Sequence, residues 1–264
     1  MATEIWAHRG SSKSQPENTM AAFEQALNDK AEGIELDVQR SRDGQLVVFH
    51  DENLQRLTNK DAYLATLDWA ELKKLNVAAN RPEAGVHHMP LLREVLDFVR
   101  GTDLTLNIEL KNSNVFYHGM EDEIVAMVEE SAVIDQVCFS SFNHMSMTQL
   151  TAKGYGKNSG MLYSEILCNP WDYVSNCGMG AIHPMFNSLQ VPDLVKNCHD
   201  AGLKVNVWTV DQDIFINAAL LLEVDAIITN VPTRALELRN TYIKDSGLSA
   251  LQSLKSSGLL DLIG

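Results

Sequence analysis

Glu35 and Asp37 stand two positions apart in the run Gly33-Ile34-Glu35-Leu36-Asp37-Val38-Gln39-Arg40. Side chains on a β-strand change face at every residue, so Ile34, Leu36 and Val38 share one face while the two acids share the other. Two carboxylates about 4 Å apart repel by about 4 kcal/mol at an effective dielectric near 20, so a positive partner is expected between them. A divalent cation is the simplest such partner. The same two-residue spacing recurs at Glu109 and Lys111, with Ile108 and Leu110 on the opposite face. It supplies a third carboxylate and a cation. Three carboxylates without a thiol suit a hard ion, Mg²⁺ or Ca²⁺, better than zinc. An acid pair on a strand is ordinarily the wet face of an antiparallel sheet; the apolar alternation and the third acid argue against that reading here.

Two histidines fall beside these acids in the chain. His8 ends the apolar run Ile5-Trp6-Ala7 and is followed by Arg9-Gly10, and His50-Asp51 follows the run Gln45 to Phe49, which returns from an Asp43-Gly44 hairpin turn. Either one alone reads as a strand-end histidine bonded to backbone. Together with the carboxylates they read as a general acid and a general base. Trp208 lies two residues beyond Asn206 on an apolar run, which favours an inward ring, whereas Trp6, Trp69 and Trp171 read as plain core. His183 reads equally as loop packing or substrate contact. His87 and His88 read as a solvated pair, and His118, His144 and His199 have no partners in the pattern.

The elements needed to position these groups follow from the alternation of apolar runs and helical patterns. Strand-like runs end at Ala7, begin at Gly33, and recur at Leu104 to Leu110, Val137 to Ser140, Ser159 to Tyr163, Ala181 to Pro184, Lys204 to Thr209 and Asp225 to Thr229. Helical spacing is clearest from Met20 to Leu27, Glu121 to Glu130, Val191 to Ala201 and Asp213 to Leu222. Eight alternating units in this length predict one α/β domain over 1–264, a closed (β/α)8 TIM barrel. An open doubly wound sheet is the alternative, but it more often carries a Gly-rich dinucleotide turn, and none is present. Residues 52–102 break the rhythm with two short helical patterns, Trp69 to Leu75 and Leu91 to Val99, and read as a small insertion with too few apolar residues for a core of its own. Residues 242–264 read as a final helix or a docked extension. In a barrel the active site lies at the carboxyl ends of the strands, where His8, Glu35, Asp37, Glu109, Lys111, Ser140, Phe142, Tyr163, His183, Trp208 and Asn230 fall.

Composition excludes several other classes. With 21 basic and 35 acidic residues the chain carries a formal charge of −14, which argues against nucleic-acid binding and against docking on anionic lipid. No apolar run approaches a membrane span, and a secretory leader is not expected, since Glu4 interrupts the first residues. A cytoplasmic location is expected. Cys138, Cys168, Cys177 and Cys198 form no CxxC pair and read as buried packing residues.

His8-Arg9-Gly10, Pro16-Glu17-Asn18-Thr19, Glu35-Leu36-Asp37-Val38, His50-Asp51, Glu109-Leu110-Lys111 and Trp208-Thr209-Val210 stand in the order and context of the glycerophosphodiester phosphodiesterases. From His8 to about Pro232 the chain resembles that family, of the bacterial cytoplasmic type, including its small insertion after the second strand. The resemblance implies metal-dependent hydrolysis of glycerophosphodiesters to sn-glycerol 3-phosphate and an alcohol. It implies Glu35, Asp37 and Glu109 as ligands of one divalent cation, His8 and His50 as the acid/base pair, Arg9 and Lys111 as phosphate contacts, and Trp208 as an aromatic beside the glycerol. It further implies attack by the substrate's own 2-hydroxyl through a cyclic phosphate, with direct attack by water as the alternative. A lysophospholipase D accepting an acyl chain, and a non-catalytic barrel that binds a phosphodiester, are the competing functions; the latter should have lost a histidine or a ligand, and every one of these positions is filled.

Overall fold

The computed structural model of the protein describes residues 2–259. Eight parallel strands close on themselves: β1 (Glu4–His8), β2 (Gly33–Arg40), β4 (Thr105–Leu110), β5 (Val137–Ser141), β6 (Ser159–Tyr163), β7 (Ala181–Pro184), β8 (Lys204–Val207) and β9 (Ala226–Thr229). Closure is made by β1, which pairs with β2 on one side and β9 on the other. A short return strand, β3 (Leu46–Val48), runs antiparallel to the end of β2 and lies outside the cylinder. The architecture is a (β/α)8 TIM barrel, and the run Gly33 to Arg40 is a strand over its whole length.

Helices cover the outside in chain order: α1 (Met20–Asn28), α2 (Gln55–Thr58), α3 (Trp69–Leu72), α4 (Leu92–Val99), α5 (Met120–Glu130), α6 (His144–Ala152), α7 (Pro170–Asn176), α8 (Leu194–Asp200), α9 (Asp213–Leu221), α10 (Pro232–Asp245) and α11 (Leu248–Ser257). Thr19 starts α1 by accepting the Ala22 N–H on its hydroxyl, and Pro232 occupies the first turn of α10, where its missing N–H is no loss. The helix expected from Val191 begins only at Leu194, because Pro192 holds Val191 in an extended conformation. Among the described residues no helix is long and apolar enough to cross a membrane.

The strand alternation separates two environments. Ile34, Leu36 and Val38 of β2, with Ile108 and Leu110 of β4, face outward into the main core between sheet and helices. Each such fully buried Ile or Leu contributes roughly 1.5–3 kcal/mol. The alternate set fills the barrel: Trp6, Glu35, Asp37, Asn107, Glu109, Ser140, His183 and Asn206 are all buried. Parallel register puts Trp6 beside Gly33, His8 beside Glu35, and Asp37 beside Glu109, so the polar residues gather toward the carboxyl ends and the Trp6 indole sits lower.

The segment 52–102 differs from its sequence reading in two ways. Leu92, Val95, Leu96 and Val99 of α4 lie in the barrel core, not in an insertion. Their i, i+3, i+4, i+7 spacing is that of an amphipathic helix docking on a sheet, and α4 is the covering helix that follows β2. The remainder does have a small core of its own, in which Leu54, Leu57, Leu64, Leu72, Val77 and Met89 pack with Val47 and Phe49, borrowed from the return strand. At the other end of the chain α10 and α11 occupy much of 242–264, and Leu254 of α11 is fully buried; residues 260–264 lie outside the described set. The cysteines also depart from expectation, since only Cys198 is buried and Cys168 is exposed.

His183 is neither loop packing nor a strand-end contact. Its ring is fully buried inside the barrel, where Nε2 meets the Asn206 side-chain amide at 2.9 Å and the ring lies over Gly160, at which any Cβ would come within 2.3 Å of it. Burial lowers its pKa to about 3. The unfolded chain therefore binds a proton that the native state refuses, and stability falls as pH drops from about 6.5 toward 3. At pH 4.5 this one ring should cost about 2–3 kcal/mol relative to pH 7. His183→Gln should reduce the loss of thermal midpoint between pH 7 and 4.5; an unchanged loss would refute the assignment.

Candidate active site

The three carboxylates converge at the carboxyl end of the barrel. Glu35 and Asp37 come from β2 and Glu109 from its neighbour β4, and each offers an oxygen within 4.8 Å of the others'. Glu35 Oε1 and Asp37 Oδ1 are buried without a hydrogen-bond partner. Buried carboxylate oxygens are normally satisfied, so an unpartnered oxygen on each of two acids within reach of a third fits a cation with oxygen ligands. The chain's own cations only partly balance the cluster. Lys111 Nζ is 2.9 Å from Glu109 and 3.8 Å from Asp37, and Arg9 Nε is 3.3 Å from Asp37, close enough for an ion pair but without hydrogen-bond geometry.

Burial, then repulsion from Asp37 and Glu109, pushes the Glu35 carboxyl well above the ordinary range. Burial also raises Glu109, with Lys111 pulling the other way. For Asp37 burial is outweighed by Arg9, His50, Lys111 and the Asn18 amide, which hold it low. Two cations beside three acids leave the cluster needing one more positive partner, a proton or a metal ion.

The loop after β1 is shaped by this cluster. Arg9 takes a left-handed backbone (φ 55°), uncommon for a side chain of its size, and its N–H donates to Glu35 Oε2 at 3.0 Å. Gly10 follows at φ 77°, and a Cβ there would lie 2.6 Å from the Ala22 carbonyl carbon, so only glycine lets the loop rest on α1. The turn Pro16 to Thr19 then divides its labour. Glu17 accepts from the Arg9 guanidinium at 2.8 Å, Asn18 donates to Asp37 Oδ2 at 2.8 Å, and Thr19 caps α1.

His8 is held in one tautomer. Asp211 accepts both the backbone N–H and the side-chain amide of Asn230. This fixes Asn230 Oδ1 as an acceptor, 2.8 Å from His8 Nδ1. The proton of a neutral His8 must therefore sit on Nδ1, leaving Nε2 free on the side of Glu35, 3.9 Å away. Burial, then Arg9, lowers the His8 pKa to about 4, so the ring is neutral at pH 7.

His50 is brought to the cluster by the end of the return strand. The Gln39 amide, itself buried on β2, reaches the carbonyl oxygens of Phe49 and Asp51 at 2.9 and 2.8 Å and so pins this corner. His50 Nδ1 is 2.6 Å from Asp51 Oδ1. Asp51 is kept well below the carboxylate range because its hydrogen bonds to His50 and Arg56 outweigh partial burial. The His50 Nδ1–H thus donates to a carboxylate, which fixes the orientation of the ring.

A cavity of about 270 Å³ opens beside Glu109 and Lys111, lined also by Glu52, Ser113, Asn114 and Phe142. The Trp208 ring meets Phe142 edge-on at 5.4 Å and donates its indole N–H to the His183 carbonyl. All eight residues singled out from the sequence lie at this end of the barrel; His183 does not join them. Sequence reasoning attached no role to Asn18, Asp211 or Arg56. Asn18 stood within a recognisable tetrapeptide, while Arg56 carried no signal.

Comparison with known proteins agrees with this geometry. The model of the glycerophosphoryl diester phosphodiesterase family matches residues 8–234. A glycerophosphodiester phosphodiesterase of Caldanaerobacter subterraneus subsp. tengcongensis is 37% identical over 240 residues, 90% of this chain and 98% of the relative. Among solved structures, a phosphodiesterase of Oleispira antarctica in complex with the product sn-glycerol-3-phosphate superposes with a TM-score of 0.77 at 26% identity, covering 90% of this chain and 97% of that one. A glycerophosphodiester phosphodiesterase from Agrobacterium tumefaciens gives 0.76 at 25% identity, covering 89% and 99%.

Proposed function

Because the chain belongs to the glycerophosphoryl diester phosphodiesterase family and is a glycerophosphodiester phosphodiesterase, we propose that it releases sn-glycerol 3-phosphate through one divalent cation held by Glu35, Asp37 and Glu109, with His8 and His50 moving the protons. The observation that carries this is the convergence of three carboxylates within 4.8 Å of one another, two of them with a buried oxygen that has no hydrogen-bond partner, beside Arg9 and Lys111. When bound, Mg²⁺ or Ca²⁺ would polarise the phosphate and offset charge growing on its oxygens.

The chain's own groups do the rest. Arg9 and Lys111 supply the positive potential that an anionic ester needs on a molecule of net charge −14. His8, neutral with Nε2 free, accepts the proton of the attacking hydroxyl. His50, donating to Asp51 through Nδ1, holds the proton delivered to the leaving alkoxide as the phosphorus–oxygen bond breaks. Trp208 and Phe142 supply an apolar wall at which the glycerol carbons can rest. A cytoplasmic location and a small-molecule glycerophosphodiester as partner accord with this chemistry.

The test is release of sn-glycerol 3-phosphate from a panel of headgroups, with and without EDTA, then with Mg²⁺ or Ca²⁺ restored. Chelation is expected to lower turnover by more than about 10²-fold, and one of the two ions to restore it. Full activity in EDTA would remove the cation from the reaction. Failure to release glycerol phosphate from any headgroup would remove the reaction itself.

A further inference from the structure

Arg56 sits on α2 in the segment between β3 and α4, with a side chain 43% exposed, and neither the fold nor the reaction described above requires it. Its neighbours Leu54 and Leu57 are buried in the small apolar cluster of that segment, which leaves the guanidinium facing the barrel. There it binds two carboxylates. Nε and Nη2 reach Asp51 at 2.6 and 3.1 Å, while Nη1 and Nη2 reach Glu17 at 2.9 and 2.7 Å. Each partner has a second duty: Asp51 holds His50 Nδ1, and Glu17 holds Arg9, which lies against Asp37. An unbroken line of ion pairs and hydrogen bonds therefore runs from Asp37 through Arg9, Glu17, Arg56 and Asp51 to His50.

We propose that Arg56 is a positioning residue for the reaction, a bridge that orients His50 through Asp51 and Arg9 through Glu17; this rests on the roles proposed above for His50 and Arg9. A planar guanidinium can engage two carboxylates at fixed angles, which an ammonium cannot. Without it Asp51 and Glu17 repel each other, and the carboxylate that keeps the proton on His50 Nδ1 is free to turn toward solvent. Arg56 does not touch the ester, and Arg9 keeps its direct partners Glu17 and Asp37 without it, so the loss should fall on kcat through His50 and leave KM nearly unchanged.

Arg56→Ala is expected to lower kcat about 10- to 100-fold, with KM within about twofold and a thermal midpoint within a few degrees of the parent. Added guanidinium should recover at least about fivefold of the loss, and Arg56→Lys should fall short of wild type because one ammonium cannot span both partners. The ¹⁵N and proton signals of His50 Nδ1–H, assigned through His50→Gln, should show a strongly hydrogen-bonded, slowly exchanging proton in the parent and a shifted, faster-exchanging one in Arg56→Ala, a signature that does not depend on turnover. An unchanged kcat, a loss carried by KM, no response to guanidinium, or an unaltered His50 Nδ1–H signal would each overturn the bridge. The underlying reading fails differently, through full activity of His50→Ala or an absence of glycerol phosphate from the parent enzyme.

Discussion

His8→Ala is expected to lower kcat by about 10³- to 10⁴-fold while the circular dichroism spectrum and thermal midpoint stay close to the parent's. The size follows from what the ring alone can do. Its Nε2 is the free basic nitrogen beside the carboxylates, and the hydrogen bonds from Asn230 to Asp211 and from His8 to Asn230 keep it so. Water filling the space would be an unoriented base without a fixed acceptor. The fold should tolerate the change because His8 ends β1 and is not part of the main apolar core. His50→Ala should lose a comparable factor, with one diagnostic difference. A diester whose leaving group is a weakly basic phenolate needs no proton on departure, so it should recover much of the His50→Ala loss and little of the His8→Ala loss. Equal recovery in both variants would refute the division of labour, and unchanged activity in either would refute the pair.

Glu35→Gln should show two effects of opposite sign. The amide keeps the shape of the side chain but removes one of three charges, so half-saturation by Mg²⁺ or Ca²⁺ should move up by at least about 10²-fold, with turnover at low metal falling accordingly. In EDTA the same substitution should make the protein more stable, raising the thermal midpoint by about 2–6 °C, because burial and the neighbouring acids already disfavour the Glu35 charge. The Glu35 N–H partner on Arg9 is retained, since the amide oxygen can still accept it. A variant both less active and less stable in EDTA would mean that these acids are not held in mutual repulsion, and the proposed ion site would fall with that result.

Most of the barrel was legible because its signal is local. β2 alternates residue by residue, and the runs Ser159 to Tyr163 and Ala181 to Pro184 are strands with the ends expected of them. Glu35, Asp37 and Glu109 could be placed together because strand pairing converts a two-residue spacing into a shared face, and β4 happens to lie beside β2. What stayed hidden depends on contacts remote in sequence. The helical face of Leu92, Val95, Leu96 and Val99 was visible, but not that it docks on the barrel instead of on the segment before it. His183 reads as a strand-end residue until closure of the cylinder shows Gly160 beneath its ring. Asp211, 203 residues beyond His8 in the chain, sets that ring's tautomer only because β9 returns to pair with β1.

The buried Trp6 ring over Gly33, with His183 edge-on to it at 6.4 Å, gives the barrel a stopper beneath its carboxylates. A reaction chamber with a floor has one doorway. The alcohol and the glycerol phosphate must both depart through the opening by which the diester came in, and with Arg9 and Lys111 as the phosphate contacts proposed above, the anion is expected to leave last. Slowing by its own accumulated phosphorylated product is the behaviour expected of such a chamber.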